Sequence, residues 1–178
     1  MCKILYEKIE NKKIKKGKAT GFFCEIDDFP IKYGLFTNNH VLNENNIKKG
    51  NIINIEFLNE SSYLKKIIKI DEKRKVYTDK DLDYTCIEIY QSDGFKDYFK
   101  IDPILINNKN YLNDSDIFLL QYPEGNDLCF SYEKVLSLKD NYIIHSASIK
   151  YDSSGSPIIR RGDNIGLQEF FRTKSDTP

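Results

Sequence analysis

Short runs of β-branched and aromatic residues, each ended by turn residues, limit what this chain can fold into more than any other feature. The plainest case is residues 51–58 and 63–70, two such runs joined by Asn59-Glu60-Ser61-Ser62. This is the pattern of a β-hairpin. Strands at a spacing of about 8 to 12 residues, with turn signals between them, are typical of sandwiches and barrels. The sequence therefore predicts an all-β fold.

Other segments extend the same pattern along the chain. We expect further strands over residues 17–26, 34–37, 82–90, 116–123, 128–138, 142–148, 157–159 and 165–168. Residues 1–16 are polar and basic and predict only a short edge strand. Residues 71–80 are predicted to form a charged loop. Gln91-Ser92-Asp93-Gly94 is predicted to open a connector, and residues 95–99 are predicted to form a short helix within it.

Charge gives no indication of a nucleic-acid or membrane partner. The 178 residues include 27 Lys and Arg and 27 Asp and Glu, so no net charge attracts phosphate groups. At this length the chain fits one large domain or two small ones. Its first residues have no apolar signal core, and no stretch approaches the roughly 18 apolar residues of a membrane span. We therefore expect a cytoplasmic protein with no nucleic-acid and no membrane partner.

The cysteines also indicate a reducing compartment. The four of them, Cys2, Cys24, Cys86 and Cys129, are widely spaced and form no CxxC motif and no Cys/His cluster. We therefore expect no metal site. Apolar or aromatic residues flank the last three, which predicts buried, reduced thiols within strands. Reduced thiols fit a reducing compartment.

Residues 151–159, Tyr-Asp-Ser-Ser-Gly-Ser-Pro-Ile-Ile, form a turn of small hydroxyl residues that leads into an apolar strand. Gly155 accepts backbone angles that other residues resist and lets a substrate carbonyl approach, while Pro157 fixes φ before the strand. A serine becomes a nucleophile when a turn exposes its hydroxyl and a base and N–H donors lie beside it. Ser154 is the candidate nucleophile, and an ordinary serine-rich turn is the alternative.

Two further segments supply candidate partners for Ser154. An apolar strand runs into a polar turn that carries His40, one of only two histidines, and Asp81 and Asp83 open the next apolar strand. A serine nucleophile needs a histidine that accepts its proton and a carboxylate that orients the imidazole. The other histidine, His145, lies inside a predicted strand, and we assign it to packing or to the surface.

The chain order His40, Asp83, Ser154 is the order of the chymotrypsin fold. On these residues the chain resembles the trypsin/chymotrypsin-like serine peptidases in their compact, disulfide-free, intracellular form. Three segments carry the resemblance: residues 37–42 are similar to the catalytic-histidine box, residues 83–89 to the aspartate and its buried strand, and residues 153–158 to the nucleophile turn.

Two weaker similarities lie at the ends of the same region. Residues 20–23 resemble the glycine-led first barrel strand, and residues 165–167 resemble the strand that pairs with substrate. The resemblance runs in order from about residue 17 to residue 168. It implies that residues 38–42 form a short helical turn that presents the histidine.

The resemblance implies two antiparallel six-stranded β-barrels. Residues 1–92 would form an N-terminal barrel that carries His40 and Asp83, and residues 93–178 a C-terminal barrel that carries Ser154 and the substrate pocket. The family normally completes its second barrel with one more strand. Only 24 residues follow Ser154, and the last of them are polar, so we expect the second barrel to be incomplete at its C-terminal end.

The family's catalytic roles transfer to three residues of this sequence. Ser154 would be the nucleophile, His40 the base and Asp83 the acid that holds the imidazole. Asp83 is preferred to Asp81 because the apolar alternation begins directly after it, as in the family.

The oxyanion hole would consist of the backbone N–H groups of Asp152 and Ser154. The family carries glycine where Asp152 stands, and a Cβ there opposes the inward turn of that peptide. Loss of one such donor typically costs about 10² to 10³ in turnover.

The substrate pocket is also implied by the resemblance. Its base would lie at Ser148, six positions before the nucleophile, and its wall would consist of Gly166, Leu167 and Gln168. A neutral residue at the base argues against a preference for Arg or Lys.

These expectations predict a serine endopeptidase that needs no cofactor and acts on a peptide or protein. A catalytically inactive pseudopeptidase, which keeps the barrels as a peptide-binding or interaction module, is the main alternative, because of Asp152. A β-rich structural protein without cleft chemistry is the third.

Overall fold

The computed structural model describes residues 1–10, 13–27, 29–59, 62–101, 112–139, 142–146, 154–160 and 166–167. In these ranges the strands are β1 (Cys2–Glu10), β2 (Lys13–Glu25), β3 (Tyr33–Thr37), β4 (Ile52–Asn59), β5 (Ser62–Lys69), β6 (Val76–Asp79), β7 (Tyr84–Glu88), β8 (Phe99–Ile101), β9 (Asp116–Gln121), β10 (Cys129–Lys139), β11 (Tyr142–His145), β12 (Ile158–Arg160) and β13 (Gly166–Leu167). Single turns of 3-10 helix lie at Gln91–Asp93 and Pro123–Gly125. The predicted all-β class is confirmed.

The strands pair in one continuous order, β11-β10-β9-β12-β13-β8-β2-β1-β4-β5, and β3 links β2 to β7, which also pairs with β6. The ladders are antiparallel except for those that β8 forms with β2 and β13. Among the described strands this order does not close into a ring. The division of the chain at residues 92 and 93 stays a prediction.

The first strand is longer and more central than its polar sequence predicts. β1 pairs with β2 on one side and with β4 on the other, so that Ile4 lies between Ala19 and Ile55. Cys2 and Ile4 are fully buried. The expectation of a short edge strand was wrong because Cys2, Ile4 and Tyr6 all pack into a hydrophobic core, although Lys3 stands between the first two in the sequence.

Three groups of buried side chains hold the sheets together. The first lies inside the N-terminal sheets and takes residues from β1 to β7, among them Ile4, Phe23 and Ile87. The second, around Leu119 and Ile143, packs the strands from β9 to β12. A third lies between Phe22, Cys24, Ile31, Phe36 and Cys86. Since β2 contributes Phe23 to the first group and Phe22 to the third, both of its faces are buried.

A buried lysine joins the N-terminal sheet to the turn after β9. The Lys3 ammonium lies 3.8 Å from the ring centroid of Tyr63 and 5.2 Å from that of Tyr122. The Tyr63 hydroxyl donates to Asp127 across 3.3 Å. Burial lowers the pKa of Lys3, and the carboxylates of Glu56 and Asp127 oppose that shift. Aromatic faces thus replace part of the hydration that the ammonium loses.

The segment after Gly94 does not form the predicted helix. Residues 95–98 have no regular secondary structure. The Phe95 ring stacks on Phe23 with centroids 4.3 Å apart, and the Tyr98 ring lies 4.5 Å from that of Tyr33. Burial of these two aromatic side chains against the first core takes precedence over local helix formation.

Three of the four thiols are buried, as predicted for Cys24 and Cys86. Burial raises the pKa of Cys2 and of Cys24 to about 12, so both stay protonated at neutral pH. Cys129 is exposed, and its predicted burial was wrong. It occupies the first position of β10, at the end of the ladder with β9, where the flanking apolar residues do not enclose it.

No helix in the described part of the chain has the length and apolarity needed to cross a membrane. The cytoplasmic location stays a prediction.

Arg74 bridges the gap between β5 and β7 inside the segment predicted to be a charged loop. Its side chain is 3% exposed and forms an ion pair with Asp93 at 2.8 Å. Its Nε donates to the Lys69 carbonyl at 2.8 Å, and an Nη donates to the Glu88 carbonyl at 2.6 Å. One guanidinium therefore satisfies main-chain carbonyls of two strands that, among the described pairings, form no ladder with each other.

We predict that Arg74→Met lowers the free energy of unfolding by about 3 to 5 kcal/mol, because the Asp93 carboxylate then remains buried without its cation. Urea unfolding followed by circular dichroism measures the loss. Lys16→Met is the control, since Lys16 and Glu7 form an exposed pair at 3.6 Å and its loss should cost less than about 1 kcal/mol. Equal losses in the two variants would contradict the role given to Arg74.

Candidate active site

Three of the predicted side chains meet at one point, although they lie far apart in sequence. His40 is in the turn after β3, Asp83 in the turn before β7 and Ser154 in the loop before β12. The His40 Nε2 lies 2.8 Å from the Ser154 Oγ. The His40 Nδ1 lies 2.8 Å from one carboxylate oxygen of Asp83 and 3.0 Å from the other. The imidazole thus stands between the hydroxyl and the carboxylate.

The carboxylate determines which imidazole nitrogen carries the proton. An ionised carboxylate only accepts hydrogen bonds, so the Nδ1 of His40 donates to Asp83 and its Nε2 is left as an acceptor for the Ser154 hydroxyl. The main-chain N–H of His40 donates to the same carboxylate at 2.9 Å. The Asp83 side chain is 12% exposed and that of His40 is 50% exposed. The acid is therefore shielded while the imidazole is open to solvent on one side.

The backbone of Asp83 has an unusual conformation that the neighbouring turn supports. Its φ is +54°, in the left-handed region that aspartate and asparagine enter more readily than most residues. The Asn38 side-chain amide donates to the Asp83 carbonyl at 2.8 Å. The Asp79 carboxylate accepts from the N–H groups of Asp81 and Leu82 at 2.8 Å each. Asp83, and not Asp81, is thus the acid that the turn directs at His40.

A chain of polar side chains fastens the histidine turn to β6 and β7. The Asn39 amide donates to the Thr78 hydroxyl at 2.8 Å, and the hydroxyls of Thr78 and Thr85 lie 2.6 Å apart. Thr85 donates in turn to the Leu42 carbonyl at 2.7 Å. These residues were not predicted from the sequence. The two threonines face each other across the β6–β7 ladder, and that pairing was not predicted because β6 was read as a loop.

The helical turn predicted at residues 38–42 is present. The N–H groups of Val41 and Leu42 both donate to the Asn38 carbonyl at 3.2 Å. This single turn carries His40 out of β3 and toward Asp83.

Gly155 is required by the way the nucleophile loop crosses β2. Its φ is +86°, and a Cβ built at this position would overlap the Thr20 carbonyl oxygen and come within 2.5 Å of the Thr37 hydroxyl. The Thr20 N–H donates to the Ser154 carbonyl at 2.9 Å. The loop therefore rests directly on the main chain of β2.

Only part of the predicted pocket and oxyanion hole falls in the described residues. Gly166 and Leu167 form β13, which pairs with β8 on one side and with β12 on the other. Ser148, Asp152 and Gln168 lie outside the described residues. The roles predicted for these five residues stay predictions.

The second histidine lies on a different strand from the three clustered residues. His145 ends β11, pairs across the ladder with Val135 and is 4% exposed. Its place in the structure agrees with the packing role.

Titration near the site is altered at Tyr84, the residue after Asp83. Burial raises the pKa of Tyr84, and the negative charge of Asp79 raises it further. Its phenol therefore stays neutral at physiological pH. Within the described ranges no group of three or more His, Cys, Asp or Glu side chains is placed to hold a metal ion. The groups that do converge can transfer a proton and present an oxygen nucleophile.

We predict that Gly155→Ala destabilises the chain more than Gly50→Ala. Both glycines have positive φ, but Gly50 has no atom within 4 Å of the added methyl group. At Gly50 the change should therefore cost only the left-handed strain of about 1 to 2 kcal/mol. At Gly155 the overlap with Thr20 adds to it. Denaturant unfolding of both variants measures the difference, and equal losses would contradict the close approach.

The sequence matches the family described as the trypsin-like peptidase domain over residues 19–167. No curated protein matches it.

Solved structures resemble the chain in fold. The structure of Deg5 shares 15% identity and a TM-score of 0.60, over 89% of this chain and 73% of that one. A serine endoprotease from Yersinia pestis shares 15% identity and a TM-score of 0.54, over 89% and 49% respectively. The serine protease of a human pathogenic astrovirus shares 17% identity and a TM-score of 0.56, over 98% and 82%. At these identities the likeness concerns the fold, which agrees with the trypsin-like architecture predicted from the sequence.

Proposed function

Since the chain belongs to the trypsin-like peptidase family, we propose that it is a serine endopeptidase in which Ser154 is the nucleophile, His40 the general base and Asp83 the residue that orients the imidazole. The observation that carries the proposal is the 2.8 Å separation of the His40 Nε2 and the Ser154 Oγ. That is hydrogen-bond reach for proton transfer.

The reaction begins when the Ser154 Oγ attacks the carbonyl carbon of a peptide bond. The hydroxyl proton passes to the His40 Nε2, and the carbonyl electron pair moves onto its oxygen. Collapse of this tetrahedral intermediate breaks the C–N bond, and the leaving amine takes the proton from His40. Water then attacks the acyl-enzyme with the same base and releases the carboxylic acid and the free Ser154.

Asp83 acts through the imidazole. While His40 is protonated, the carboxylate 2.8 Å from its Nδ1 stabilises the positive charge. Before and after that, it keeps the Nε2 free to accept a proton. Half-exposure of the His40 side chain leaves the water of the second step a direct approach.

Substrate recognition is proposed from the family pattern. The N–H groups of Asp152 and Ser154 would bind the oxyanion, and Ser148 with Gly166, Leu167 and Gln168 would line the pocket for a peptide or protein. Because β13 is paired on both sides, a substrate strand can bond to Gly166 and Leu167 only if one of those ladders gives way.

One sequence feature favours a second function. Asp152 stands where the family carries glycine, and a carboxylate roughly 5 Å from a developing oxyanion would add about 3 kcal/mol of repulsion at an effective dielectric near 20. With the oxyanion donor lost, the chain would be a pseudopeptidase that binds peptides without cleaving them.

We predict that the folded protein reacts with a fluorophosphonate probe and that Ser154→Ala does not, because the phosphorus is attacked by the activated hydroxyl. Mass spectrometry of the labelled peptide identifies the site. Ser156→Ala, a serine in the same loop, should label like the wild type. Asp83→Asn should label about 10⁴-fold more slowly, since an amide favours the wrong tautomer, and asparagine tolerates the positive φ of this position.

Absence of labelling in the folded wild-type protein would refute the peptidase proposal and leave the peptide-binding alternative. Equal labelling of the Ser154→Ala variant would show that another group reacts.

We further predict that Asp152→Gly raises the labelling and peptide-cleavage rates by up to about 10² to 10³, because glycine lets the peptide unit turn its N–H toward the oxyanion. Initial rates on a peptide mixture measure the change. Asp114→Asn serves as a control for the loss of one negative charge, and equal effects of the two substitutions would contradict the oxyanion argument.

A further inference from the structure

We propose that Thr20 is the positioning residue for the nucleophile, an inference that rests on the peptidase function proposed above. Thr20 lies in β2 and is fully buried. Three of its polar atoms bond three different segments: its N–H donates to the Ser154 carbonyl at 2.9 Å, its carbonyl accepts from the Thr37 hydroxyl at 2.9 Å, and its hydroxyl oxygen accepts from the Tyr122 N–H at 3.1 Å.

The main chain of Thr20 holds the segments of the nucleophile and of the base at once. The Ser154 carbonyl accepts a hydrogen bond directly from the Thr20 N–H. Thr37 is the last residue of β3, and His40 follows three positions later. Both ends of the 2.8 Å contact between the imidazole and the hydroxyl are thus fixed to the peptide groups of one residue.

The hydroxyl of Thr20 adds a second route to Ser154. Tyr122 directly follows β9, and β9 pairs with β12, so that Leu119 lies opposite Ile158. β12 begins four residues after Ser154. By fixing the end of β9, the hydroxyl fixes the strand into which the nucleophile loop runs.

The surroundings of Tyr122 make this hydrogen bond hard to replace. Its side chain is 1% exposed, and its ring lies 6.4 Å from that of Tyr63. Because solvent is excluded, the Tyr122 N–H has no water to bond when the Thr20 hydroxyl oxygen is removed. The turn at Pro123–Gly125 must then move to satisfy it, and β9 moves with it.

The test compares Thr20→Val with Thr20→Ser. Valine keeps the shape of threonine but has no acceptor, whereas serine keeps the acceptor. Reaction with a fluorophosphonate at several concentrations separates the maximal labelling rate from the probe concentration at half that rate. We expect Thr20→Val to lower the maximal rate by about 10- to 100-fold, as a small misplacement of a reacting group does. The half-saturating concentration should stay unchanged, and Thr20→Ser should label near the wild-type rate.

A loss of stability alone is controlled by Ile53→Val. Ile53 is buried in β4, which pairs with neither β2 nor β9. This variant loses a methyl group from the first hydrophobic group and should label like the wild type once denaturant unfolding has shown that it is folded. If Thr20→Val does not fold, Thr20→Ala removes the acceptor without filling the space and is measured instead.

The outcomes separate the two proposals. Wild-type labelling rates in Thr20→Val would refute the positioning role and leave the peptidase proposal standing. A fall in Thr20→Ser as large as that in Thr20→Val would also refute it, since the hydroxyl oxygen would then be irrelevant. If the wild-type chain itself fails to label, the peptidase proposal falls and the role of Thr20 falls with it.

Discussion

Burial of both faces of β2 is the constraint on which the rest of the structure depends. The residues from Ala19 to Cys24 are all buried, although neighbouring side chains on a strand point in opposite directions. Alternate residues enter different hydrophobic groups, Phe23 the first and Phe22 the third. A strand that is packed on both faces cannot slide by one residue without moving every side chain to the opposite face, into space filled by differently shaped neighbours. Its main chain is therefore a rigid support for the loops that pack on it.

The candidate active site is built on this strand. The turn with His40 is attached through Thr37, and the loop with Ser154 lies across the same strand. At the edge of the site, the Lys3 ammonium contacts the rings of both Tyr63 and Tyr122 and so connects the turn after β9 to the N-terminal sheet. The catalytic arrangement proposed here is thus supported by a polar hydrogen-bond network inside and by cation–aromatic contact at its margin.

The sequence was enough to predict the all-β class, the β4–β5 hairpin and the pattern that belongs to the family. It did not reveal β1 as an interior strand, because lysines and glutamates are interspersed with the apolar residues of this segment and such a mixture gives a weak periodic signal. β6 was not predicted because four residues are too few to show an alternation of apolar and polar side chains. The burial of Arg74 was not predicted because an arginine in a charged segment is expected to face solvent. Contacts between residues far apart in the chain, such as that of Thr20 with Tyr122, leave no local pattern.

The position of β1 bears on where the smallest folded unit can begin. The family match starts at residue 19, in the middle of β2. An expression clone cut to that boundary would remove β1 and the first six residues of β2. β4 would then lose its neighbour, and Ile55 would lose the cover of Ile4. A boundary drawn from the family match alone would thus produce a fragment with an exposed, aggregation-prone sheet edge, whereas a clone that starts ahead of Cys2 keeps β1 between β2 and β4.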